Sequence, residues 1–213
     1  MTALSRLTLV AAGAIGLAAT LVATGLTMTA SAAPSSPRAE VTQVTTFDPW
    51  TATGKLLPGI KVAGRVKASG CTFGSSYDVG NRDAWRCSLA SGQFYDPCFA
   101  PPNRSGVTQV ACMTNPWAGK ATILTLARPL AHSSWGTPRS SAARYPWAMV
   151  LGNGQRCGVI GGTAEVVHGV GLYYGCPRGD ASDPSTGARL WTARYAANGS
   201  TKLTSVPVAE AIR

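Results

Sequence analysis

The sequence predicts an all-β, single sandwich- or barrel-like domain stapled by three disulfides, which follows a signal peptide and a flexible linker. Three observations carry this expectation. Apolar residues recur with a period of two or in short β-rich runs; Gly, Pro, Asn and Asp bound each run; and six cysteines occur without a C-x-x-C pair.

At the start of the chain, Arg6 precedes the uncharged stretch LTLVAAGAIGLAATLVATGLTM, and Ala30-Ser31-Ala32 then supplies the small-residue pattern of a cleavage site. Residues 1–32 therefore read as a signal peptide, and the mature chain is expected to begin near Ala33. Membrane contact is expected only through this segment if it is left uncleaved. Residues 33–54 are rich in Pro, Ser and Thr without helical spacing and read as a flexible linker. The disulfide-bonded β domain is expected to occupy residues 55–213, long enough for one sizeable core.

Within that span the strand-like runs are GIKVAGRVKA, DAWRCSL, VTQVACM, ATILTLARPL, WAMVLGN, QRCGVI, VGLYYGC, RLWTARYAA and KLTSVPVAEAI. Asn153-Gly154 lies between two of them, and both residues tolerate positive φ, so a tight turn is expected there. TAEVVHG is the one helix candidate, of two turns at most, and reads equally as a loop. With 24 Gly and 14 Pro between short strands, a sandwich or barrel is favoured over βαβ units.

Cys71, Cys87, Cys98, Cys112, Cys157 and Cys176 all follow the leader, an even number bound for an oxidising compartment. Six cysteines allow 15 pairings. The sequential one (Cys71 with Cys87, Cys98 with Cys112, Cys157 with Cys176) is the simplest and is adopted as the expectation. Structural zinc would call for short-spaced ligand pairs, and the two histidines, His132 and His168, are isolated, so no metal or other cofactor is expected.

The formal charge is +10, with 19 basic residues against 9 acidic ones and no run of like charge. Outside a cell such a field favours anionic wall polymers or lipid head groups, or serves solubility alone. Helix-turn-helix, zinc-finger and RNA-binding signatures are missing, so nucleic acid is not an expected partner.

A search for catalytic motifs finds no G-x-S-x-G elbow, H-E-x-x-H helix or S-x-x-K motif. Cys176, in GLYYGCPRG, superficially matches the Gly-Cys followed by Arg of cysteine transpeptidases, but a cysteine in a disulfide is no thiolate. His132 beside Ser133 and Ser134 invites a triad on paper, although triads are recognised by geometry and not adjacency. Of the acids, Asp48, Asp96 and Asp183 precede proline, a conformational use. Trp117, Tyr173, Tyr174 and Arg178 sit beside turns or cysteine-stapled edges and are the candidate ligand-binding residues.

The succession DAWRC, FYDPCFAPP, VAC with NPW after it, RPL, YPWAMVLGNGQRC, GLYYGC and LWTARYA resembles an extracytoplasmic domain of actinobacterial secreted proteins. That domain also forms the extracellular part of some receptor-like serine/threonine protein kinases. The resemblance runs over most of residues 65 to 213 and implies an export-side module with a sensing or binding role; no catalytic residue comes with it. The expected function is therefore a secreted or envelope-associated binding or sensing domain. Its partner would be an anionic cell-wall polymer, a peptide or an envelope protein. The alternative is a cell-wall hydrolase or transpeptidase using Cys176 or His132.

Overall fold

A computed structural model describes residues 40–78, 80–102, 106–130 and 145–213. The expected leader, residues 1–32, lies outside the described residues, as do His132, Ser133 and Ser134. The described chain is all-β, without a helix, and forms a single compact unit.

The first half builds a six-stranded sheet in the order β2-β7-β6-β5-β4-β3: β2 (Lys61–Ala68), β3 (Gly70–Gly74), β4 (Ala84–Ser88), β5 (Phe94–Phe99), β6 (Gln109–Cys112) and β7 (Lys120–Leu126). β3 to β7 are an antiparallel meander, whereas β2 runs parallel to β7. Ser69 alone separates β2 from β3, although these are the two ends of the sheet. They make one bent strand that bonds β7 first and β4 afterwards, which rolls the sheet around Trp85, Val110, Leu124 and Leu126.

The second half forms a closed barrel in which β8 (Ala148–Leu151), β9 (Arg156–Val159), β11 (Val170–Cys176), β12 (Gly179–Ser182), β13 (Trp191–Ala197) and β14 (Thr204–Ile212) pair in turn. β14 bonds back to β8, and every step of the ring is antiparallel. Met149, Leu151, Tyr174, Ala181, Trp191, Ala193 and Val208 form one buried cluster of this half. As the sequence predicts, the β8–β9 turn is Asn153-Gly154: Gly154 takes φ +80°, and the Gln155 N–H donates to Asn153 Oδ1 at 3.1 Å. TAEVVHG is neither helix nor loop throughout: Glu165–Val167 is strand β10, paired with β11 through a turn at His168 and Gly169, both at positive φ.

A third cluster joins the two halves, with Phe99, Ala111 and Ile123 of the sheet meeting Trp147 ahead of β8. Phe47 completes it, its ring centroid 5.5 Å from both Phe99 and Trp147. Of the expected linker, residues 33–54, residues 33–39 lie outside the described residues, and the part that is described is not a free tether. From Glu40 onward the chain belongs to the fold: β1 (Gln43–Thr45) pairs in parallel with β14, and Trp50 Nε1–H donates to the Phe99 carbonyl at 2.9 Å. Apolar rings at positions 47 and 50 bury against the joint, which outweighs the polar composition around them.

The three disulfides follow the sequential pairing, and no described cysteine is free. Each joins neighbouring strands of a ladder, with Cα atoms 3.9 to 4.3 Å apart. Cys71 faces Cys87 and Cys98 faces Cys112 in register, while the Gly175–Gly158 pair places Cys176 beside Cys157. Such bridges fit an oxidising compartment. Replacing Cys157 and Cys176 together by alanine is expected to cost about 3 kcal/mol in urea unfolding, the chain-entropy value for a loop of this size. A loss below roughly 1 kcal/mol would mean that the ladder holds this register without the bond.

Candidate functional site

Of the four candidate ligand residues, Tyr174 is corrected outright. It is 1 % exposed, packs with Leu151 and Trp191, and donates its hydroxyl to the Pro146 carbonyl at 2.6 Å. Burial raises its pKa well above the ordinary tyrosine value, with the charges of Asp183 and Tyr145 adding to the rise. Tyr174 is a core residue with a satisfied polar tip. Cys176, the candidate nucleophile, is bonded to Cys157 and holds no thiolate.

Tyr173, one residue earlier, is 48 % exposed, since it alternates with the buried Leu172 and Tyr174 along β11; the β11–β12 register shifts at this point. Its ring lies over Gly171, where a Cβ would sit 2.7 Å from ring carbon, so the glycine makes the bed for the aromatic. Ile160, 39 % exposed, donates its N–H to the Tyr173 carbonyl at 2.9 Å. Val166, 66 % exposed, stands opposite Gly171 across the β10–β11 pair. Two exposed aliphatic side chains, Ile160 and Val166, therefore share one face of the ladder with a glycine-seated ring. Gly161 lies against the Tyr77 hydroxyl and extends this surface toward the first sheet.

Trp117 belongs to the β6–β7 turn, where its N–H donates to Asn115 Oδ1 at 3.0 Å. That turn docks on the barrel: a Cβ on Gly158 of β9 would meet the Asn115 Cβ at 3.4 Å. The Arg156 guanidinium stands 5.6 Å from the Trp117 ring centroid, a cation–π arrangement. Arg178 is exposed, and its backbone is tied down: its N–H donates to Gln155 Oε1, and its carbonyl accepts from the Tyr195 hydroxyl and from the Asn198 N–H. Arg156 and Ile160 share the stretch through β9, four residues and roughly 13 Å apart at about 3.3 Å per residue. The structure thus sets Trp117 and Arg156 at one end of the β9–β11 ladder and Tyr173 at the other. It takes Tyr174 inside.

A polar cluster missed in the sequence lies in the loop after β3. Asp96 accepts hydrogen bonds from the Ser75 hydroxyl and, at 2.9 Å, from the Ser76 N–H. Asp78 is wholly buried, and neither of its carboxylate oxygens reaches hydrogen-bond geometry with a partner among the described residues. Burial pushes the Asp78 carboxyl up to about 7; the Asn81 amide and the Arg213 guanidinium oppose the rise, and the charge of Asp96 adds to it. Burial likewise raises Asp48 and Asp96. With no exposed surface, Asp78 cannot touch a substrate, and its ionisation bears on stability alone. Among the described residues no group of three or more His, Cys, Asp or Glu is arranged to hold a metal ion.

No protein-family model, curated protein or solved structure matches this chain. The surface around Tyr173 is the candidate site on its geometry alone.

The Asp78 carboxyl also sets a pH dependence. In the folded chain it keeps its proton up to about pH 7, whereas the unfolded chain releases it near 3.8. Its stabilising contribution is complete below the unfolded value and is lost as pH rises through the folded one, at up to about 1.4 kcal/mol per pH unit. Thermal unfolding of Asp78→Asn is expected to show a flatter loss of Tm between pH 5 and 8, and a higher Tm than the wild type at pH 8. Parallel curves for the two proteins would remove Asp78 as the source.

Proposed function

We propose that this protein is a secreted or envelope-associated recognition module, which holds its partner on the Ile160–Val166–Tyr173 surface of the barrel. The observation that carries this reading is the gathering of three exposed apolar side chains on one face of the ladder around β11: Ile160 just past β9, Val166 on β10 and Tyr173 on β11. Solvent-facing strand positions usually carry polar groups, and contiguous exposed apolar side chains mark interaction sites. The Cys157–Cys176 bond lies three residues from Tyr173 on the same strand, so the backbone that presents the ring is held before any partner arrives. A pre-set surface loses little conformational entropy on binding. Arg156 over Trp117 adds a cationic, aromatic shoulder suited to a polar rim.

The compartment in this reading rests on the leader, the three disulfides and the resemblance to the actinobacterial extracytoplasmic domain. A wall polymer, a peptide or an envelope protein all meet the chemistry of an aromatic ring flanked by aliphatic groups and arginine. The bonded state of Cys176 weighs against the cysteine-based enzyme, since acyl transfer there needs a free thiolate.

Retention of the mature protein on purified actinobacterial cell wall tests this reading, with salt titration to strip binding by charge alone. Tyr173→Ala is expected to weaken retention about tenfold, roughly 1.4 kcal/mol, while leaving the unfolding transition within about 0.5 kcal/mol of wild type. Unchanged retention of Tyr173→Ala, or complete release of the wild type at high salt, contradicts it.

A further inference from the structure

We infer that the free edge of β2 is a second docking surface, one that accepts an extended acidic peptide segment of a partner protein as an added strand. β2 is eight residues long, about 26 Å at roughly 3.3 Å per residue. It pairs with β7 on one side, and among the described residues its other edge carries no backbone hydrogen bond. In a parallel pair the bonded residues of a strand alternate with residues whose N–H and C=O groups point the other way. Such an unused row is a template for another strand.

Charge selects the occupant. Lys61, Arg65 and Lys67 on β2 are exposed, as are Lys120 at the start of β7 and Arg128 just beyond its end. The Ala127 N–H bonds the Ala68 carbonyl and so keeps Arg128 near the far end of β2. No Asp or Glu occurs between residues 49 and 77 or between 97 and 164, the segments that contain both strands. The register even sets Lys61 directly opposite Lys120, a like-charge pair that disfavours the ladder by itself. Solubility alone is better served by interspersed signs. A second copy of this chain would bring Arg65 and Lys67 against the same cations, so homotypic pairing through this edge is opposed. An acidic strand offers the opposite charge together with the missing hydrogen bonds.

This surface is independent of the one around Tyr173. The test is fluorescence anisotropy of the mature protein, at about 50 mM salt, with a labelled decapeptide of alternating Thr and Glu. A second peptide of equal charge carries N-methyl groups on central Thr and central Glu amides, which blocks both of its edges. The unmodified peptide is expected to bind at least about tenfold more tightly than the methylated one. Arg65→Glu/Lys67→Glu, both at exposed positions, is expected to lose binding by at least about tenfold, while Tyr173→Ala binds as the wild type does. Equal affinity for the two peptides would mean attraction of polyanions without strand addition, and would overturn the proposal. So would an absence of wild-type binding, or an Arg65→Glu/Lys67→Glu protein that binds unchanged.

Discussion

Three covalent links between facing strands hold the register on which the rest of this structure depends. A slip of one residue in a β ladder turns every side chain to the opposite face. In this chain such a slip would expel Trp85 and Val110 from the first core, or Tyr174 from the second. Each disulfide joins cysteines that already face one another in the ladder, so it forbids the slip without demanding a new path for the backbone. The bonds also act on the unfolded chain, whose freedom they reduce. For a protein built from strands of three to nine residues, that restriction is a large share of a typical stability of about 5 to 15 kcal/mol.

The two halves meet the edge problem in different ways. The second half closes completely, because the nine residues of β14 are long enough to bond β13, β8 and β1 along their length. The first half rolls through the bend at Ser69 and leaves β2 with one neighbour. An exposed edge invites unwanted pairing, and lysine or arginine along it is a common protection. The same charges give that edge a preference among partners. Rigid barrel surface and cationic edge are thus two products of one construction, and the aromatic joint of Phe47, Phe99 and Trp147 holds both within a single unit.

The all-β architecture and the bridge pairing were legible in the sequence because alternation and cysteine count are local signals. The runs around Val110, Leu124, Met149 and Val208 became strands, but consecutive residues in them are buried: Val110 and Leu124 face the first core while Ala111 and Ile123 face the joint between the halves. Strands β1, β3, β5 and β12 were not legible: QVT, GCTFG, FYDPCF and GDAS are short or interrupted by Gly, Asp or Pro, and only pairing to a neighbour makes them strands. The candidate site was half readable. Adjacent tyrosines on one strand must part to opposite environments, but which face of β11 turns inward is set by its pairing with β9 and β12, which no local signal marks. Ile160 and Val166 were overlooked because an exposed aliphatic in a strand run looks like core. Asp78 gave no signal at all, since its burial is a tertiary property and one of the charges acting on it, Arg213, lies far along the chain.

The most direct measurement is disulfide mapping of non-reduced protein, digested with trypsin and chymotrypsin. Cleavage at Arg82, Phe94, Arg104 and Glu-free aromatic sites such as Tyr173 separates the cysteines enough for mass spectrometry to assign each link. The account predicts Cys71–Cys87, Cys98–Cys112 and Cys157–Cys176 alone. A link between Cys87 and Cys98, which lie on paired strands but out of register with one another, would contradict the ladder and the surfaces built on it.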